Sequence, residues 1–209
     1  MNIPNQEEFL NGYEEFERHE RRDAMYKIAT FLLSHFWGNF HQMTDGLGVL
    51  LLTWNQAFYR YGIFDFDRLE KCIKINFKTI NTFRNRDIFS LSQEDTKNIN
   101  ILFENFLNAL QIGSGNMQGR KSPVAVAKTL HLLAPKFFPL WDDKIARAYN
   151  CYYDIKPAEQ YFLFSNITKD MANEIQDYIT GSKKPLLKLI DEYNYAKYTK
   201  KLDLIKNFN

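Results

Sequence analysis

The chain has 209 residues, a formal net charge of +2 and 45% apolar residues, enough for one ordinary hydrophobic core or a pair of small helical lobes. Its longest apolar run, GVLLLTW at 48–54, is far shorter than the roughly 20 residues of a membrane-spanning helix, and the N-terminal sequence lacks the pattern of a secretory leader. Two cysteines without a CxxC pair and four scattered histidines argue against structural zinc, a four-cysteine iron–sulfur cluster and a disulfide framework. We therefore expect a cytoplasmic protein that needs no metal and no cofactor.

Helical periodicity dominates the chain. The clearest case is 92–111, where Ser92 and Asp95 form a capping signal and the apolar residues that follow recur at i, i+3, i+4, i+7, i+8 and i+11. Similar patterns predict helices at 6–18, 21–37, 46–61, 66–84, 157–165, 168–180 and 185–204. We expect eight to ten helices and little sheet, in an all-α, two-lobed helical bundle. The chain 1–209 forms a single helical domain in this interpretation, with lobes 1–112 and 113–209 on either side of a glycine-rich loop at 113–123.

The segment 46–61 ends in a group of polar and aromatic residues. Asn55 and Tyr59 are four residues apart and share a helix face, and Trp54 and Arg60 are adjacent to them. Such a group suits stacking on a nucleobase and hydrogen bonding to its edge, with Trp141 as a further aromatic wall. A core helix with aromatic packing and an internally bonded Asn55 is the alternative.

The loop at 113–123 leads into a helix start. Ser122 followed by Pro123 is a favourable N-terminus, because serine accepts from free amides and proline lacks only a donor that would be unpaired anyway. Gly119, Arg120 and Lys121 precede it, so Gly119–Ser122 forms a candidate phosphate-binding segment. Residues 118–209 carry 15 Lys/Arg against 10 Asp/Glu, which fits either this interpretation or an ordinary solvated surface.

An apolar turn and two aspartates follow that helix. Residues 137–141 read FFPLW, and Asp142 and Asp143 come directly after them, before an amphipathic helix, KIARAY. A carboxylate beside such a wall is partly desolvated and suited to act as a base or an electrostatic partner. Aspartate is also among the best N-cap residues, so a purely structural role for Asp142 stays open.

The stretch GRKSPVAVAKTLHLLAPKFFPLWDDKIARAY, residues 119–149, resembles the helix-hairpin-helix DNA glycosylases. In that family a glycine-rich hairpin, an alanine-containing helix, a short Phe-Pro turn and a catalytic aspartate follow in this order. The resemblance carries the catalytic aspartate onto Asp142, with Asp143 as the fallback if the register shifts by one. It implies that the target nucleotide is flipped out of the duplex and that the carboxylate stabilises the positive charge on the sugar and activates a water molecule.

The chain also departs from the family pattern. The family hairpin reads Leu-Pro-Gly-aliphatic-Gly, whereas this loop reads GSGNMQG at 113–119. Bifunctional members place a lysine where this chain has Ser122, Pro123 and Val124, which favours a monofunctional enzyme. Lys121 and Lys128 lie close enough in sequence to remain candidates for a displaced amine nucleophile.

The resemblance implies a monomeric hydrolase that binds double-stranded DNA, excises a damaged or modified base and leaves an abasic site. Its role is either base-excision repair or defence against phage DNA with hypermodified cytosine. The alternative is a non-catalytic helical module that binds nucleic acid or protein. The C-terminal stretch, 181–207, is expected to lie along phosphates or to be a packing helix with a solvated basic face.

Overall fold

The computed structural model describes residues 3–20, 22–179 and 181–202. Within these ranges the chain is helical and contains no strand, which confirms the all-α prediction. The ten α-helices of the described residues are α1 Gln6–His19, α2 Ala24–His35, α3 Phe40–Trp54, α4 Gln56–Tyr59, α5 Phe66–Arg84, α6 Thr96–Ala109, α7 Pro123–Leu133, α8 Asp143–Ala148, α9 Pro157–Ile175 and α10 Leu186–Asn194. A π-helical turn, Tyr195–Thr199, continues α10. The predicted helix bounds at 21, 180 and 204 fall outside the described residues.

Several helices begin and end where the sequence pattern places them. The predicted bounds of α5 are those observed, and α1 extends one residue beyond the prediction. The predicted capping box is present, since the Asp95 carboxylate accepts from the Ser92 amide at 2.9 Å. The prediction for α3 was wrong at its start, because Asn39 caps the helix by accepting from the Gln42 amide at 3.3 Å. The helix therefore begins six residues before the predicted position 46.

Helix α7 lies at the centre of the molecule. It packs against α2, α3 and α6, and its residues from Ala125 to Leu133 are buried except for Lys128. Buried apolar side chains from both sides of the 113–123 loop belong to one connected core. The division into two lobes stays a prediction. Helix α10 packs against α1, which brings the two ends of the described chain together.

Among the residues that the structure describes, no helix is both long enough and apolar enough to cross a bilayer.

Candidate active site

A cavity of about 620 Å³ lies where the N-terminus of α2, the end of α3, α7, the start of α8 and the inner face of α10 meet. Trp54 supplies a half-buried aromatic ring, Trp141 lines the cavity with nearly all of its surface buried, and Lys128, Asp142 and Asp191 bring ionisable groups to the same space. The volume falls in the range of small-molecule sites, about 300–1,000 Å³. The cavity therefore combines the aromatic surface and the titratable groups that a reactive site requires.

Asp142 is both a helix cap and part of the cavity lining. One carboxylate oxygen, Oδ1, accepts from the Ile145 amide at 2.8 Å and so caps α8. The other, Oδ2, accepts from the Thr199 hydroxyl at 2.5 Å, in the π-helical turn after α10. The side chain stays half-buried at the cavity wall. The capping and catalytic interpretations of Asp142 are thus compatible, because the cap fixes the orientation of the carboxylate.

The residue before it, Trp141, is held rigidly. It is 1% exposed, and its indole Nε1 donates to the Pro123 carbonyl at 3.3 Å. Its ring lies edge-on to Tyr161, with centroids 5.1 Å apart, and packs on Phe164 at 5.6 Å. These contacts tie the start of α8 to the start of α7 and to α9. The Phe-Pro turn therefore delivers Asp142 to the cavity as a fixed group.

Lys128 is the amine of this cavity. Its Nζ donates to the Trp54 carbonyl at 2.6 Å and lies 5.0 Å from the centre of the Trp54 ring. Burial lowers the pKa of Lys128 to about 8, although the nearby Asp191 and Asp142 carboxylates oppose the effect. A lysine of that pKa is neutral in a useful fraction of molecules near neutral pH, so it combines nucleophilic and cationic character.

The other predicted base-pocket residues are placed differently. Asn55 donates through Nδ2 to the Ser122 hydroxyl at 3.2 Å, and its Oδ1 accepts from Lys128 at 3.5 Å. It connects the helix start to the amine, and it is not among the residues that line the cavity. Tyr59 is buried in the core, where its hydroxyl donates to the Leu110 carbonyl at 2.9 Å. Only Trp54 and Trp141 of the four line the cavity.

The predicted DNA-binding segment is a tightly tied loop that is exposed up to Lys121 and buried at Ser122. Gly119 adopts a left-handed conformation, φ +83°, and its amide donates to the Ile112 carbonyl at 2.8 Å. The amide of Ile112 donates in turn to the Arg120 carbonyl at 2.9 Å. Lys121 is exposed and donates to the Asn108 side chain at 2.6 Å, and Ser122 caps α7 by accepting from the Ala125 amide. Arg120 is exposed as well.

Two further candidate residues point away from the cavity. Asp143 is exposed and forms an ion pair with Arg147 at 3.2 Å, one turn along α8. Lys121 does not line the cavity either, so of the two candidate amines only Lys128 is next to Asp142. The structure therefore brings together Asp142, Lys128, Trp54 and Trp141.

Helix α10 adds charged residues that the sequence pattern did not single out as site residues. Lys188 is only 1% exposed, and its Nζ lies 3.3 Å from Asp191, 3.5 Å from Asp23 and 3.5 Å from Glu192. Burial alone lowers the pKa of Lys188, but the three carboxylates outweigh it and hold that pKa above its ordinary value. The aliphatic residues that flank Lys188, Leu186, Leu187, Leu189 and Ile190, were the one sequence feature that favoured its burial.

His131 completes the buried polar network behind the cavity. It is fully buried, its Nδ1 is 2.8 Å from the Phe138 carbonyl and its Nε2 is 3.1 Å from the Tyr26 hydroxyl. Burial lowers the pKa of His131 to about 3, so the ring is neutral: Nδ1 donates to Phe138 and Nε2 accepts from Tyr26. This histidine serves the packing of α7.

No group of three or more His, Cys, Asp or Glu side chains suited to a metal ion occurs in the described ranges. No family model, no curated protein and no solved structure matches this chain. The fold and the cavity themselves define its class, an all-helical protein with a fixed aspartate, a half-buried lysine and two tryptophans around one cavity.

Proposed function

We propose that the chain is a monofunctional DNA glycosylase-like enzyme, a monomer that excises a damaged or modified base from double-stranded DNA in the cytoplasm and leaves an abasic site. One observation carries this proposal. Asp142, onto which the resemblance carries the catalytic aspartate, lines the same cavity as Trp54 and Trp141. A carboxylate beside an aromatic side chain suits base excision, because a flipped base can stack on the Trp54 ring while positive charge develops on its sugar.

The charges around the cavity favour a base over a phosphate as the group that enters it. The charged residues of its lining are four carboxylates against three cations. They are Glu20, Asp23, Asp142 and Asp191, and Arg22, Lys128 and Lys188. The cavity has no excess of positive charge to attract a phosphate, so the DNA backbone stays outside while the uncharged base is inserted. The exposed Arg120 and Lys121 are available for the phosphates.

The proposed reaction is hydrolysis of the bond between C1′ of the sugar and the base nitrogen. Asp142 is held by Ile145 and Thr199, so its carboxylate faces the reacting sugar without having to reorganise. The carboxylate stabilises the developing positive charge and takes a proton from the attacking water. The products are a free base and a sugar hydroxyl at C1′.

Lys128 supports a second route through the same cavity. Its pKa of about 8 and its position in the lining suit attack on C1′, which displaces the base and forms a protonated imine with loss of the sugar ring bond. That imine allows elimination of the 3′ phosphate, so the enzyme would cut the strand as well. Borohydride reduces an imine to a stable covalent adduct. Trapping of the chain on DNA by borohydride, and its loss in Lys128→Met, separates this route from hydrolysis.

The test of the proposal is base release from a panel of duplexes that carry alkylated, oxidised, deaminated and hypermodified bases, including glucosylated hydroxymethylcytosine from phage DNA. Wild type and Asp142→Asn are compared by counting abasic sites after alkaline cleavage. Asparagine caps about as well as aspartate, so the variant is expected to fold and to bind DNA. We expect base release by wild type only, and the base released distinguishes repair from defence.

Absence of release by folded wild-type protein from every duplex contradicts the proposal. Retained DNA or protein binding would then identify a non-catalytic helical module in which Asp142 is only a cap.

A further inference from the structure

The cavity contains a second carboxylate in surroundings unlike those of Asp142. Asp191 lies on the inner face of α10 with its side chain 13% exposed, and it lines the cavity together with Lys188 and Tyr195, at i−3 and i+4 on the same helix. Asp142 accepts hydrogen bonds from the Ile145 amide at 2.8 Å and from the Thr199 hydroxyl at 2.5 Å. Asp191 instead accepts a long hydrogen bond, 3.3 Å, from the Lys188 ammonium.

The charges that face Asp191 come from several elements. Burial raises the pKa of Asp191. The ammonium groups of Lys188 and Lys128 oppose this shift, and the Asp142 carboxylate adds to it, so that the net direction is upward. The Lys188 ammonium offsets only part of this rise in the pKa of Asp191, because it also faces Asp23 and Glu192. Burial and the incomplete pairing with Lys188 therefore favour the protonated form of Asp191.

We propose that Asp191 is a second catalytic residue, the acid that protonates the base as it leaves. This inference rests on the proposed glycosylase function. A pair of carboxyl groups whose surroundings separate their proton affinities is how one cavity supplies both an acid and a base. The group that keeps its proton gives it to the departing nitrogen, and the ionised partner takes one from water.

The step balances in atoms and electrons. The C1′–N bond breaks with its electron pair on the base nitrogen, and Asp191 gives its proton to the base. Water adds its oxygen to C1′ and gives a proton to Asp142. Asp142 is then the protonated group and Asp191 the ionised one. Exchange of protons with solvent restores both before the next turnover.

The test measures single-turnover base release between pH 5 and 9 on the duplex of the panel that wild type cleaves fastest. General-acid catalysis contributes about 10²- to 10⁴-fold. We expect Asp191→Asn to release base at least 100-fold more slowly at the pH where wild type is fastest, and to lose the fall in rate that wild type shows as Asp191 ionises. Asp191→Glu keeps a proton donor, so we expect it to release base faster than Asp191→Asn. We also expect the fall in its rate to occur at a different pH from that of wild type.

Two matched variants control for other causes. Asp23→Asn removes another carboxylate that pairs with Lys188, so its effect on stability resembles that of Asp191→Asn, but its pH profile should keep the fall in rate, moved only toward lower pH because Lys188 then pairs more fully with Asp191. Lys128→Met removes another group whose pKa falls in this range, and the fall attributed to Asp191 should persist in it, moved toward higher pH because Lys128 no longer opposes the raised pKa of Asp191. Thermal unfolding of all variants shows which of them fold.

The outcomes separate the two proposals. Wild-type activity with Asp191→Asn within tenfold of it, or with an unchanged pH profile, overturns the role of Asp191 and leaves the glycosylase standing. If Asp191→Asn does not fold, Asp191→Glu is the deciding variant. A fall in its rate at the same pH as in wild type would equally overturn the proposed role of Asp191. A wild type that releases no base from any duplex overturns both proposals.

Discussion

Replacement of Lys128 by methionine should stabilise the protein at neutral pH. The lysine keeps a charge in a cavity where burial lowers its pKa from 10.5 to about 8. At about 1.4 kcal/mol per pH unit, this difference corresponds to about 3 kcal/mol of destabilisation. Water that reaches the half-buried amine reduces the cost to roughly 2 kcal/mol. Methionine has a similar length and no charge, but it loses the hydrogen bond to the Trp54 carbonyl, about 1 kcal/mol.

The sign of the pH dependence follows from the two pKa values of the lysine. The folded value lies below the unfolded one, so the unfolded chain binds more protons between pH 8 and 10.5. The destabilisation is complete below about pH 8 and disappears as the pH rises toward 10.5. We therefore expect Lys128→Met to be about 1 kcal/mol more stable than wild type at pH 7, a rise in Tm of about 2–4 °C. At pH 10 we expect the variant to have lost this advantage.

Urea unfolding followed by circular dichroism at pH 7 and pH 10 measures the two differences. Lys121→Met is the matched control, because that lysine is exposed on the segment just before α7, and we expect its effect to be small at both values. A Lys128→Met variant that is less stable than wild type at pH 7, or a difference that does not change with pH, would refute the reasoning. Either result would mean that the Lys128 amine is solvated in the folded protein.

Three further predictions concern packing and positioning. Thr199→Val removes the hydroxyl that holds the site carboxylate, so we expect about 1–2 kcal/mol less stability by urea unfolding and at least tenfold slower base release, both largely restored by Thr199→Ser. Gly48→Ala places a methyl group 2.3 Å from the Phe66 ring, and we expect a loss of about 1–3 kcal/mol in thermal unfolding; an unchanged Tm would contradict this packing. Cys72 and Cys151 are buried with pKa values raised by burial to about 12 and about 11, so a thiol reagent at pH 8 should modify neither in the native protein and both after denaturation.

Helix positions were predictable where apolar spacing alone decides them. Leu102, Phe103 and Phe106 are buried on one side of α6, as the spacing in 92–111 requires. The predicted start of α3 at Gly46 was wrong because Gly46 and Gly48 lie within the helix. They are the positions where the side chains of Leu32 and Phe66 pack closely against it.

The predicted break between 157–165 and 168–180 was also wrong, since α9 is continuous from Pro157 to Ile175. Asn166 lies in the predicted gap, and Thr168 is the first residue of the second predicted helix. Their side chains instead donate to the carbonyls of Phe162 and Phe164, four residues earlier, each at 2.8 Å. Such local bonds let polar residues stay within a helix, and spacing alone cannot reveal them.

The candidate site was predictable only in its local part. The Phe-Pro turn followed by an aspartate predicted Asp142 as a candidate site residue. Trp141 was predicted because it is the aromatic residue directly before it. The partners from distant segments, Thr199 and Asp191, depend on how α10 packs against the rest of the molecule. A charged residue on an amphipathic helix looks the same whether it faces water or a cavity. The direction in which it points is a tertiary property.

The hydrogen bond between Thr199 and Asp142 also affects when the cavity is completed during synthesis. Its walls include Asp23 near the start of the chain, yet the donor to the carboxylate is fifty-seven residues beyond Asp142. Because synthesis proceeds from the N-terminus, the earlier helices emerge and pack first. The carboxylate acquires its second partner only when the turn after α10 has left the ribosome. A ribosome-bound or prematurely terminated chain that stops before this turn would carry an incomplete site.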